Sequence, residues 1–263
     1  MFSVSKQRLF LGTPPHLVAL GLFFVYSLAM TTGTVMGLNV ALPVIIQELD
    51  TTVTMASWIQ VMYFLALAGG TFALGRVSNV FNKKKLIIIG VLADIPLMLL
   101  VFFTDSIVLF IISRFFSPLF RVFPWLNLQV IGIGGFPEHQ RGRVIGISAA
   151  VQGLGMVIAP ALTGWVTDAF GWRWLFMGTA WAFVPIAILM VLMLSDEESR
   201  QPKQKISVTD FDLPGTALMM IGVMSLLMGL QFSASGSDLT SSILLGGIGI
   251  ASIVAFIYVE TRA

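Results

Sequence analysis

The chain has 263 residues, of which 57% are hydrophobic and 11% charged, with a net charge of +2. Soluble domains carry about 25% charged residues, so this sequence lacks the polar surface to face water on all sides, and lipid must cover much of it. The basic residues fall in short clusters without interleaved aromatics, which gives no nucleic-acid footprint. With no cysteine, disulfides, thiol chemistry and thiolate-bound metals are excluded.

Residues 1–16 read as a cytoplasmic N-terminal segment. Lys6 and Arg8 precede an apolar stretch too long for a signal-peptide core and without a small-residue cleavage site, so the first helix acts as its own insertion signal. A helix crosses a bilayer with about 20 mostly apolar residues. Eight segments meet that requirement: 17–42, 54–75, 86–103, 107–134, 143–167, 174–194, 213–232 and 241–259. The expected fold is an all-α membrane protein. Its six-helix N-terminal bundle covers 17–194, and the polar loop 195–212 (SDEESRQPKQKISVTDFD) leads to a two-helix pair at 213–259. No repeat of 20–50 residues is visible, which argues against a solenoid. His16 and His139 stand far apart at segment ends and read as solvated, so no metal site and no cofactor is expected. There is also no P-loop, nucleophile elbow or H-E-x-x-H, and the chain does not read as an enzyme.

Lysine and arginine in short loops mark the cytoplasmic side. With the N-terminus inside, every basic residue falls inside except Arg173, which is outside, and Arg114 and Arg121, which lie within a span. The outside loops carry Glu48, Asp50, Asp105, Asp168 and Asp238. The expected location is the plasma (bacterial inner) membrane, with the N-terminus cytoplasmic.

Between the second and third spans the sequence runs GRVSNVFNKKK, containing Gly75, Arg76, Asn79, Asn82, Lys83, Lys84 and Lys85. Gly75 lets two helices approach closely, the basic run holds the turn inside, and the turn calls for a residue tolerant of positive φ. Farther along, GLGMVIAPALTG places Gly153, Gly155, Ala159, Pro160 and Gly164 on one helix, followed by DAFGWRWLF. Small residues one turn apart make a flat face for another helix, and Pro160 bends the helix. FPEHQRGRVIG, NVALPVI and DLPGTALMMIG complete the set.

Together these segments resemble the N-terminal part of the major facilitator superfamily, fourteen-helix drug:proton antiporter type, from about residue 30 to 262. The resemblance makes 75–85 a cytoplasmic gate loop, with Asn79 in place of the family Asp and Asn82, suited to a left-handed turn, in place of its second Gly. It makes Gly153 to Gly164 the antiporter motif. In the family that small-residue face, Gly155 to Gly164, packs against the C-terminal bundle, so it is expected to be exposed here. The family continues with six more helices, whereas this chain ends at Ala263. A truncated frame, a fragment, or a half-transporter needing the missing C-terminal half or a second copy is expected.

An ionisable group at bilayer depth costs at least about 2.5–3.5 kcal/mol and marks function or a partner. Arg114 matches the Arg of the family's R-x-x-Q-G-x-G, with Ser117 and Pro118 replacing Gln and Gly. Arg121 follows seven residues later, so the two guanidiniums project within about 20° of one another and should line a polar cavity. Asp94 lies about 12 Å above the cytoplasmic end of its helix. It pairs with Arg121, carries a coupled proton, or sits as a protonated acid against lipid. Where the family places an acid on the first helix, this chain has Thr34. Asn39, Gln60, Tyr63 and Gln152 are further candidates for the cavity, although such residues within spans are more often interhelical hydrogen bonds or interfacial anchors.

The functional expectation is a secondary transporter, exporting amphipathic drugs or small molecules by alternating access and driven by protons. The alternatives are a uniporter or anion carrier without proton coupling, and a non-transporting remnant or assembly subunit. The expected partners are the lipid bilayer, a small-molecule substrate and protons.

Overall fold

The computed structural model describes residues 15–31, 37–193, 213–234 and 239–260. Among them are nine α-helices and no strands. They are α1 Pro15–Met30, α2 Leu38–Glu48, α3 Val53–Val80, α4 Lys83–Phe103, α5 Ile107–Gly134, α6 Glu138–Phe170, α7 Arg173–Met193, α8 Leu213–Ala234 and α9 Leu239–Glu260. The loop 195–212, Thr34, the N-terminal cations Lys6 and Arg8, Asp238 and Arg262 lie outside the described residues, as do the side chains of Arg76 and Asn79.

Six helical stretches are long and apolar enough to cross a membrane: Val53–Thr71, Lys83–Phe103, Ile107–Gly134, Glu138–Phe170, Arg173–Leu192 and Thr240–Tyr258. The packing is inverted relative to a soluble protein. Val157 and Phe103 are 77% and 73% exposed, while Asp94, Arg114, Arg121 and Asn127 are buried. Backbone groups in hydrocarbon must be satisfied within the segment, which selects helices.

Sequence sets the helix ends. The Asn82 side chain accepts a hydrogen bond from the Lys85 backbone N–H at 3.1 Å and caps α4. Its φ is −61°, so the expected left-handed turn is replaced by an N-cap. Capping satisfies one of the amide donors that α4 leaves open, and extended backbone is what a capping residue requires. Pro137 precedes α6, and Glu138 in its first turn complements the helix dipole. The helix therefore starts earlier than the expected 143 and carries Arg141 and Arg143 on its first turns. The first expected span, 17–42, corresponds to α1 and α2, and the latter runs on to Glu48. Gly171 ends α6 with φ +93°, a backbone conformation that favours glycine.

α5 is the central helix, packing against α1, α3, α4 and α6. At Gly90 on α4 an added Cβ would lie 2.5 Å from the Phe120 carbonyl oxygen, so only glycine allows this approach to α5. α8 and α9 form a hairpin against α3. Gly215, Gly222 and Gly229 recur every seventh residue on α8. A Cβ on Gly229 would come within 2.9 Å of the Gly246 nitrogen, and one on Gly249 within 2.9 Å of the Gly222 oxygen. The Gln231 amide donates to the Ser57 hydroxyl at 2.5 Å, tying the hairpin to α3.

The small-residue face of α6 differs from expectation. Gly155 and Ala159 are buried, and a Cβ on Gly155 would meet Leu28 and Thr31, at 3.4 and 3.5 Å. The flat face at Gly155 is therefore covered within the same bundle, by Leu28 of α1 and by Thr31 just after it. The exposed face of α6 carries Gly153, Leu154, Val157, Pro160 and Trp165 instead, with Gly164 half-buried.

Candidate translocation cavity

Three polar residues on α4 and α5 meet in the centre of the bundle. The Arg121 Nε donates to Asp94 Oδ2 at 2.7 Å, and the Ser117 hydroxyl donates to Asp94 Oδ1 at 2.5 Å. Asp94 is fully buried and Arg121 1% exposed. Ser117 lies four residues before Arg121, one helical turn away, so both reach the same carboxylate. Arg121 also lies 5.8 Å from the Phe183 ring of α7. Of the three readings of Asp94, the geometry is that of the ion pair with Arg121. Such a pair holds in low dielectric only with its remaining lone pairs satisfied, and Ser117 supplies that second bond.

A cavity of about 270 Å³ opens beside this pair, walled by α1, α3, α5 and α6. Its lining includes Arg121, Tyr63, Gln152, Trp125, Ser27, Thr31 and Thr71 beside the apolar Phe64, Leu67, Val122, Met30 and Met156. Methionine and aromatic walls adapt to irregular apolar shapes. The hydroxyls of Tyr63 and Ser27 are buried and have no hydrogen-bond partner among the described residues. Gln152 is tied at its amide nitrogen to the Ser148 carbonyl, 3.2 Å away.

Arg114 is placed differently from the expectation of two cavity-lining guanidiniums. It is 1% exposed and stacked on the Tyr63 ring, with Cζ 4.1 Å from the centroid, and one of its terminal nitrogens donates to Gln60 at 3.4 Å. Gln60 in turn donates to Asn39 at 2.9 Å. The seven-residue spacing puts both arginines on the same side of α5, but Tyr63 stands between Arg114 and the cavity. Asn39, Gln60 and Arg114 thus form a polar chain from α2 through α3 to α5, separated from the cavity by one aromatic ring.

At the Lys83 end of α4, Ser78 donates to Asn127 of α5, and the Asn127 amide donates to the Phe123 carbonyl at 2.8 Å. Gly75 faces Leu126 of α5, with 3.9 Å to an added Cβ. Lys83 is buried at the start of α4, whereas Lys84 is half-buried and Lys85 exposed. At the other end of α4, Arg173 bridges two carboxylates: 2.6 Å to Glu48 at the end of α2 and 2.7 Å to Asp105 after α4. The Trp172 ring nitrogen donates to the same Glu48 at 2.8 Å, and its ring stacks on Phe110 at 5.5 Å. Sequence reasoning had passed over this clasp. The signal was available: a lone outside arginine facing outside acids.

The chain matches the family model of the Major Facilitator Superfamily over residues 20–261. It belongs to that superfamily. It is accordingly a multi-pass integral membrane protein, and this superfamily member is similar to several relatives whose function is named. Multidrug transporter protein MdtP of Bacillus subtilis is 26% identical over 250 residues, covering 94% of this chain and 44% of the relative. Multidrug resistance protein 3 of the same organism is 25% identical over 79% of this chain and 40% of its own length. Puromycin resistance protein pur8 of Streptomyces alboniger is 26% identical over 89% of this chain and 45% of its own. The chain spans less than half the length of these relatives.

Proposed function

We propose that this chain forms the N-terminal part of a secondary transporter of the fourteen-helix type. It moves amphipathic small molecules across the membrane by alternating access, in the direction of export. The observation that carries the reading is the cavity itself: mixed apolar and polar walls drawn from four helices, beside a buried ion pair. Binding sites in such transporters lie near the bilayer midplane, between bundles that rock about them. The names of the multidrug and puromycin-resistance relatives support drug-like cargo. The exposed apolar face of α6, with Leu154, Val157 and Trp165, supports a second bundle as partner, supplied by the C-terminal half or by a second copy. The lysine turn at 83–85 is cytoplasmic, with Gly75, Arg76, Asn79 and Asn82 forming the gate.

Transport without proton coupling is the second reading, favoured by two observations. Both oxygens of Asp94 accept hydrogen bonds, from Ser117 and Arg121. Thr34, where the resembling antiporters carry an acid, has no proton to release. Everted membrane vesicles containing the chain test both readings through accumulation of a fluorescent amphipathic dye. Export predicts accumulation above empty-vector vesicles, lost in Arg121→Gln. Accumulation abolished by collapsing the pH gradient selects the antiporter; dye entry that is faster than in empty-vector vesicles but insensitive to the pH gradient selects the uncoupled carrier. Dye uptake equal to that of empty-vector vesicles contradicts transport by this chain.

A further inference from the structure

We propose that the α8–α9 hairpin completes a second binding site, a crevice between α3 and α8 that takes the apolar body of an amphipathic small molecule, and that Phe64 is the partition through which this site joins the cavity. The proposal rests on the transport reading above and adds a site to it. The packing of the hairpin shows how the crevice arises. α8 meets α9 through glycine, where a Cβ on Gly222 would lie 2.8 Å from the Ile253 side chain, so these two helices close on one another. α8 meets α3 through longer side chains instead. Gln231 donates to Ser57 at 2.5 Å, and the Phe232 ring stands edge-on to Trp58 at 5.9 Å. Next to these contacts a space of about 310 Å³ lies between Val61 and Phe64 of α3 and Leu227 and Leu230 of α8.

The crevice lies at a depth where hydrocarbon is the surrounding solvent. Phe64 stands about 16 Å along the membrane-crossing stretch Val53–Thr71, near its middle, and Leu230 is 67% exposed. The amides at the edge of the crevice are engaged, Gln60 with Asn39 and Arg114, and Gln231 with Ser57. An occupant therefore meets Val61, Phe64, Leu227 and Leu230, which suit an alkyl or aromatic body arriving from the bilayer. Phe64 also belongs to the cavity wall, and it is the residue that the two linings share. It is 39% exposed, so packing does not hold it on all sides, and its ring meets Tyr63 edge to face at 5.5 Å. Rotation of this one side chain, a fast motion for a partly exposed residue, joins the two spaces without moving a helix.

The test is photolabelling of the full chain in phosphatidylcholine nanodiscs with 4-(hydroxymethyl)benzophenone, an uncharged amphipath that inserts into C–H bonds on irradiation. Adducts are located by mass spectrometry, with and without excess 4-biphenylmethanol as a competitor that does not photolabel. Leu244 and Ile250, exposed on α9, report labelling from bulk lipid. Adducts at Leu227 and Leu230 should exceed those on α9, and the competitor should suppress them selectively. Leu227→Trp, which fills the crevice, should lower adducts there and on Met156 of the cavity by at least about fourfold, the equivalent of one buried methylene. Phe64→Ala should raise adducts on Met156. Equal labelling of α8 and α9, insensitive to the competitor, means that lipid alone fills the crevice and overturns the proposal. That comparison is read on the unmutated chain, so it holds even if a variant fails to fold. Competitor-sensitive adducts in the crevice, with Met156 unchanged in both variants, overturn the role of Phe64 as partition. Competitor-sensitive adducts on Met30 and Met156 with none in the crevice remove the second site and leave the transport cavity standing. Competitor-sensitive adducts at neither place strike at both.

Discussion

At the scale of single residues, Asp94, Ser117 and Arg121 form the feature on which the interior depends. Removing one member of a buried pair leaves an uncompensated charge, at a cost of about 3–5 kcal/mol, whereas replacing both by apolar groups is close to neutral. Asp94→Leu alone should therefore lower the unfolding midpoint in detergent sharply, and Asp94→Leu with Arg121→Met should recover most of the loss. Additive losses in the double variant would show that the two side chains do not interact. The clasp at the opposite end should matter less. Arg173 is 26% exposed and its partner Asp105 92% exposed, so Asp105→Asn should change stability by under about 1 kcal/mol, and by still less in high salt. Helix depth and rotation made the Asp94–Arg121 pair legible in the sequence, because 1.5 Å and 100° per residue are fixed quantities. Ser117 as the second donor was not legible, since a serine one turn before an arginine serves equally well bonded to its own helix.

At the scale of helices, small residues decide which surfaces meet. Gly90→Val should force α4 from α5, because the new Cβ would meet the Phe120 carbonyl oxygen and the Pro124 ring at 2.5 and 2.6 Å. Overpacking of this kind costs about 1–3 kcal/mol, readable as a lower unfolding midpoint, whereas Gly153→Ala, where an added Cβ meets nothing within 4 Å, should leave it unchanged. Similarly, Gly229→Leu should open the α8–α9 hairpin and lower cross-linking between cysteines placed on the two helices. Hydropathy marks the apolar stretches, but the single span expected over 17–42 is two helices, α1 and α2, and α6 begins at Glu138 rather than 143. Nor does hydropathy name the partners of each helix. The face of Gly155 and Ala159 reads as an interface for another bundle, yet Leu28 of α1 and Thr31 just after it cover Gly155. A small-residue motif announces a close neighbour without specifying which helix that neighbour will be. Asn82 illustrates the same limit, because asparagine suits both a left-handed turn and an N-cap, and the start of α4 selects the cap.

At the scale of the whole molecule, a membrane-embedded bundle turns apolar side chains outward and holds charges within, and of Asp94, Arg114 and Arg121 it is Arg121 that forms part of the four-helix cavity wall. Composition carries the membrane-embedded organisation, which is why the all-α membrane fold is legible from sequence, and the motifs at 75–85 and 153–164 carry the resemblance to the family. The cavity wall is not legible, since it is assembled from α1, α3, α5 and α6 and depends on their mutual rotation. The absence of cysteine provides a direct test. Gln152→Cys lies on the cavity wall, whereas Leu92→Cys lies on α4, outside it, and is 53% exposed. Labelling in intact membranes with a charged, membrane-impermeant thiol reagent should modify Gln152→Cys and spare Leu92→Cys, because water reaches the cavity and only hydrocarbon reaches α4. Equal labelling at the two positions, or labelling of Leu92→Cys alone, would contradict a water-accessible translocation cavity in this chain.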